Sequence, residues 1–136
     1  MTSDLIAKAV AARENSVAPY SHFKVGAALE TKDGRVFSGC NIESASYGLT
    51  VCAERLALWK ALSEGSREFT RIAVVTDAPA ITSPCGTCRQ LLWEYCGNIP
   101  VALYSLKGGT KVLTIEELLP YPFDRRDLLL DRENDE

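Results

Sequence analysis

The chain has 136 residues, 46% of them hydrophobic and 24% charged, with a formal charge of −3. These values predict one soluble globular domain over residues 1–136, able to bury roughly two-thirds of its unfolded surface without disulfide staples. No apolar run approaches the roughly 20 residues that cross a bilayer, and Met1-Thr2-Ser3-Asp4 lacks the basic flank of a secretion signal. A cytoplasmic protein that does not bind membranes is expected. Six acids and three arginines between Asp124 and Glu136 account for the whole net charge and leave the rest neutral. Without a stripe of Lys and Arg, a nucleic-acid polymer is a poor candidate for the substrate.

In chain order, Leu5 to Ala12 is rich in helix formers and ends before Ala18-Pro19, where proline disfavours further helix. Lys24 to Glu30 and Arg35 to Cys40 read as two strands of a hairpin turned at Lys32-Asp33-Gly34. Val51 to Gly65 reads as a second helix, apolar on almost every side and therefore expected to be covered all round. Arg71 to Thr76 has the length and continuous apolarity of a buried strand. Pro84 is expected to open a third helix reaching Cys96, followed by a strand at Val101 to Leu106. After Gly108-Gly109 come a short strand, Thr110 to Thr114, and a short helix, Ile115 to Leu119, stopped by Pro120. The alternation predicts an α/β fold, a three-layer α/β/α sandwich around a mixed sheet of about five strands.

Five cysteines in a chain without a secretion signal read as metal ligands or buried thiols. Their spacing separates the two. Cys85 and Cys88 lie three apart in Pro84-Cys85-Gly86-Thr87-Cys88, so one helical turn presents both sulfurs to a single ion. Cys52, 33 positions before Cys85 at another helix start, supplies a third. Helix dipoles aimed into the shared pocket favour the thiolate forms. Three protein ligands with a fourth position open describe a catalytic zinc site, since structural sites are normally closed by four. His22, the only histidine, has no ligand-like spacing, and Cys40 and Cys96 read as buried free thiols.

Glu54, two residues after the first ligand, gives the site its chemistry. The order Cys52, Glu54, Pro84-Cys85-x-x-Cys88 resembles the zinc-deaminase signature. The reaction that resemblance implies, displacing an amine from an aromatic ring, requires an ionised water, a proton at the ring nitrogen and a proton for departing ammonia. Zinc lowers the pKa of bound water toward about 7, and a mobile carboxyl at Glu54 handles both protons. Zinc with three thiolates sums to −1, which weakens it as a Lewis acid. Arg55, and less directly Arg89, are placed by sequence to withdraw thiolate charge through hydrogen bonds, and Gln90 is grouped with them behind the ligands.

The ordered set of Cys52, Glu54 and Pro84-Cys85-x-x-Cys88 resembles the zinc deaminases. The likeness extends to Pro19-Tyr20-Ser21-His22-Phe23-Lys24-Val25-Gly26-Ala27-Ala28, to Gly39-Cys40-Asn41-Ile42-Glu43-Ser44-Ala45-Ser46-Tyr47, to Cys88-Arg89-Gln90 and to Glu116-Glu117-Leu118-Leu119-Pro120. From about Leu5 to Leu128 the chain is similar to the short, homotetrameric cytidine deaminases. The resemblance implies hydrolysis of cytidine and deoxycytidine to uridine and deoxyuridine plus ammonia, in pyrimidine salvage, with one Zn²⁺ per subunit. It further implies that Phe23 packs on the pyrimidine, that Asn41 and Glu43 bind the ribose 3′-hydroxyl, and that the loop through Ala45 and Tyr47 serves the 5′-hydroxyl. Tyr47 and Phe123 would reach a neighbouring subunit's pocket. The segment Pro120-Tyr121-Pro122-Phe123 departs from the family pattern in its second proline, which weakens the assignment of Phe123. A blasticidin-type aminonucleoside deaminase would share the zinc motifs without the Asn41-Ile42-Glu43 segment.

Overall fold

The computed structural model describes residues 2–128, so the acidic tail beyond Leu128 lies outside the described residues. Helix α1 (Thr2–Arg13) is followed by the hairpin of β1 (Gly26–Thr31) and β2 (Val36–Cys40). A 3-10 turn (Tyr47–Leu49) leads to α2 (Ala53–Ser63), then β3 (Phe69–Thr76), α3 (Gly86–Cys96), β4 (Pro100–Ser105), β5 (Thr110–Thr114) and α4 (Ile115–Leu118). The strands form one sheet of order β2-β1-β3-β4-β5, parallel between β3 and β4 and antiparallel elsewhere.

Alternation along each strand sorts the core onto the two faces. Ala28, Ala73, Val75 and Ala102 meet Leu5 and Ala9 of α1 on one face. The three alanines among the strand residues leave room for α1 to lie close. Ala27, Leu29, Ile72, Val74, Val101 and Leu103 meet Ala57 and Leu58 of α2, Leu92 of α3 and Ile115 of α4 on the other. The result is the expected three-layer α/β/α sandwich. Central β3 is buried on both faces from Ile72 to Thr76, which is why it reads as an unbroken apolar run. Truncating Leu58, fully buried between α2 and the sheet, to alanine costs about 2–5 kcal/mol.

Two glycines set how closely the layers approach. A Cβ at Gly39 on β2 would lie 2.5 Å from the Ala53 carbonyl oxygen and 2.7 Å from the Ala57 nitrogen. One at Gly26 on β1 would lie 2.1 Å from the Ala9 carbonyl oxygen. Helices α2 and α1 are therefore seated on bare backbone, one on each side of the hairpin.

Several boundaries differ from expectation. β1 begins at Gly26 because the polar backbone groups of Phe23 and Val25 bond to Asn41 instead of to a ladder partner. Val51 bridges to Ile42, so α2 starts only at Ala53. Pro84 does not open α3; Cys85 caps it and Gly86 is its first residue. Nor is α2 covered all round: Ala53, Ala57, Leu58 and Ala61 are buried, but Trp59 is 50% exposed. Among the described residues, no helix is long and apolar enough to cross a membrane.

Candidate active site

The N-termini of α2 and α3 converge at the carboxyl end of β3, the position where open α/β sheets carry their sites. Cys52 and Cys85 are the caps of these helices, both in extended backbone conformation, and neither side chain bonds to the helix it caps. The two sulfurs are therefore free to face a common point. Cys88, buried one turn into α3, joins them, and the three Sγ atoms lie within 4.8 Å of one another. Three sulfurs this close suit one tetrahedral zinc, whose Zn–S bonds of about 2.3 Å put its sulfur ligands about 3.8 Å apart. Among the described residues this is the group of three His, Cys, Asp or Glu side chains arranged to hold a metal.

Within the trio, the thiolate is favoured at Cys52. Cys52 is brought down to about 6, chiefly because its sulfur accepts a hydrogen bond from Cys88, with Cys85 and the Arg55 charge adding to the effect. The same contact pushes Cys88 upward. One proton is thus held between two sulfurs, and an incoming cation displaces it.

Glu54 is only 5% exposed and lines the cavity with Cys52 and Cys85. Burial away from water drives its carboxyl up to about 7, and the negative charge of Cys52 reinforces the shift. A carboxyl that gains and loses a proton near neutrality is suited to general acid-base work. The cavity, about 330 Å³, is completed by Phe23, Val25, Asn41, Glu43, Val74, Thr76 and Thr82. It is predominantly apolar with polar groups at its two ends, as a site for a flat polar ligand should be.

Asn41 and Glu43 are strongly held. The Asn41 side chain bonds to Val25, Phe23 and Ser16. Glu43 accepts the Tyr20 and Ser21 backbone N–H groups, both at 3.0 Å, and the Ser21 hydroxyl. These bonds, the hydroxyl's first, hold its carboxyl below the ordinary value of 4.5.

Other expected residues lie elsewhere. Arg55 donates from Nη2 to the Thr50 carbonyl at 2.6 Å and stacks 5.2 Å over Trp59. Its Nε is buried without a hydrogen-bond partner, an orphaned donor whose charge acts on Cys52 and which suits a thiolate acceptor. Arg89 has its Nε on the Pro84 carbonyl, Nη2 on the Ser83 hydroxyl and Nη1 on the Leu118 carbonyl, at 2.7, 2.6 and 2.5 Å. It braces the loop before Cys85 against α4. Gln90 donates to the Phe123 carbonyl at 2.6 Å, fastening the C-terminal segment to α3. Phe123 itself is 57% exposed, and neither it nor Ala45 lines the cavity. Tyr47 is 80% exposed beside a second hollow, which shares Ser21, Glu43 and Thr50 with the first. His22 is exposed, with φ at 58°, and like Cys40 and Cys96 stands outside the sulfur trio. Reasoning from sequence overlooked Ser16, Val74, Thr76 and Thr82, none of which lies in a recognisable motif.

Comparison with known proteins places these features in a family. Residues 1–103 match the family model of the cytidine and deoxycytidylate deaminase zinc-binding region. The chain is 50% identical to a cytidine deaminase of Sporosarcina psychrophila over 91% of its own length and 92% of that protein. It is 52% identical to a cytidine deaminase of Halalkalibacterium halodurans over 91% and 95% of the two. The crystal structure of cytidine deaminase from Burkholderia pseudomallei superposes with a TM-score of 0.88 at 49% identity, covering 90% of this chain and 99% of that one.

Proposed function

This chain belongs to the cytidine and deoxycytidylate deaminase family, and we propose that it hydrolyses cytidine and deoxycytidine to uridine and deoxyuridine plus ammonia. The observation that carries the reading is the convergence of three sulfurs within 4.8 Å at two helix N-termini, with a buried carboxyl in the same cavity. Cys52, Cys85 and Cys88 hold one Zn²⁺ per subunit. When bound, zinc supplies a water ionised near neutral pH.

The residues of the chain do the rest. Phe23 packs against the pyrimidine and, with Val74, keeps the base apart from bulk water. Glu54 receives a proton from the attacking water and passes it to the ring nitrogen N3; it then takes the proton of the new C4 hydroxyl and delivers it to the amine as the C4–N bond breaks and the C4 carbonyl forms. The C4–O bond formed and the ammonia released balance one water consumed. Asn41 and Glu43 engage the ribose 3′-hydroxyl, one as donor and the other as acceptor. Arg55 offers its orphaned Nε to a thiolate, while Arg89 and Gln90 support the site through the loops they brace.

The half-exposed Trp59, together with Tyr47, Leu49 and Tyr121, all at least 50% exposed, supports a homotetramer in which Tyr47 and Phe123 complete a neighbour's pocket. The 136 residues act as a single domain, in the cytoplasm, within pyrimidine salvage. Ultraviolet absorbance of cytidine, deoxycytidine, CMP and free cytosine, with ammonia release as control, tests the reaction. Turnover of both nucleosides with the other two inert is expected. No turnover of any of the four sinks the reading.

A further inference from the structure

Asn41 is 8% exposed, and its hydrogen bonds leave it with a single remaining capacity. Its Oδ1 accepts the Val25 backbone N–H at 2.9 Å and the Ser16 hydroxyl, and its Nδ2 donates to the Phe23 carbonyl at 2.7 Å. An amide oxygen has two lone pairs and an amide nitrogen two hydrogens. Both lone pairs are therefore occupied, and one N–H of this cavity-lining side chain is left unused. Glu43 is the complement: Oε1 accepts two backbone N–H groups and Oε2 one hydroxyl, leaving acceptor capacity on Oε2 alone.

We propose that Ser16 is a positioning residue for sugar recognition, which makes Asn41 a donor-only group by filling the second lone pair of its Oδ1. The assignment rests on the reading of Asn41 and Glu43 given above and deepens it. A ribose 3′-hydroxyl entering this site accepts from Asn41 and must donate to Glu43, so its rotamer is set from both sides. Without the Ser16 hydroxyl, Oδ1 competes with Glu43 for the sugar proton, and the direction of the pair is lost.

Ser16 stands outside every motif, in the turn after α1, yet it is not there by an accident of rotamer. Its single hydroxyl hydrogen goes to Oδ1, with the Asn41 carbonyl, 3.2 Å away, as the secondary acceptor. The adjoining Val17 donates its N–H to that carbonyl at 3.0 Å and accepts the Glu43 N–H at 2.8 Å. Two backbone bonds therefore hold the Ser16 turn against the segment that carries both sugar-binding groups.

The test compares zinc-loaded parent, Ser16→Ala and Ser16→Thr with cytidine and with 3′-deoxycytidine, which lacks the hydroxyl in question. For Ser16→Ala, KM for cytidine rises about five-fold with kcat unchanged, the effect of one lost hydrogen bond. The kcat/KM for 3′-deoxycytidine stays put, and Ser16→Thr, which keeps the hydroxyl, restores the parent KM. An equal loss with both nucleosides, or a change confined to the melting temperature, gives Ser16 an ordinary structural role and overturns the assignment. A parent that turns over neither nucleoside overturns the deaminase reading and this assignment together, before any variant is compared.

Discussion

The two ends of the cavity are built in different ways. At the sulfur end, two helix caps and the first turns of α2 and α3 place three thiols and a carboxyl, all specified within short runs of sequence. At the other end, Asn41 and Glu43 are held by loop residues from positions 16–25, through hydrogen bonds between segments 16 to 25 residues apart. The thiols and the carboxyl are carried by helices whose bodies pack against the sheet, so their placement is set by rigid elements. Loops can be retuned without disturbing the helix caps, so under the proposed function the other end is where substrate choice would be set.

The sharpest way to break this division is Cys88→Ala, which leaves two ligands. Zinc content by atomic absorption should fall to background and turnover with it, while the rim stays intact. Glu54→Gln comes next. It should retain zinc and fold but lose at least about 10²-fold in kcat, the lower range for a removed acid-base group; near-normal turnover would refute the role. At the rim, Asn41→Ala strands the Val25 N–H and the Phe23 carbonyl. It should cost about 1–3 kcal/mol in urea unfolding and raise KM more than it lowers kcat.

The smallest effect separates the ends by pH in chelated, metal-free protein. Glu54, raised from 4.5 to about 7, contributes stability that is full below its unfolded pKa and is lost as pH rises through about 7. Glu43, held below 4.5, contributes stability present above 4.5 and lost as pH falls. Carbon-detected NMR of the glutamate carboxyls should show the two titrating on opposite sides of 4.5. Melting curves of Glu54→Gln should lose the Glu54 contribution to the decline between about pH 5 and 8. Coincident titrations would erase the contrast.

The same division governs how much was legible in the sequence. Cys52, Glu54, Cys85 and Cys88 were readable because helix starts and ligand spacing are local signals. The five strands and their layers were readable for the same reason. The order of strands was not: the β1–β2 hairpin shows in its turn, but pairing β1 with β3 and β3 with β4 joins chain segments that no short pattern links. Arg89 illustrates a subtler limit. Its type and place suited a thiolate partner, but the carbonyls of Pro84 and Leu118 lie within its reach and take its donors instead. Ser16 was invisible, since a serine in a turn carries no signal until its distant partner is known.

Gly39 has a consequence that reaches the chemistry from outside the cavity. The helix it supports is the one capped by Cys52 and carrying Glu54 in its first turn, and the atoms nearest its missing side chain belong to Ala53, Ala57 and Leu56 of that helix. One added methyl group there acts as a wedge under the reactive corner, lifting ligand and carboxyl together away from Cys85 and Cys88. An allele of this kind would be silent in any inspection of the cavity lining, yet would inactivate the protein more readily as heat loosens the helix from its seat.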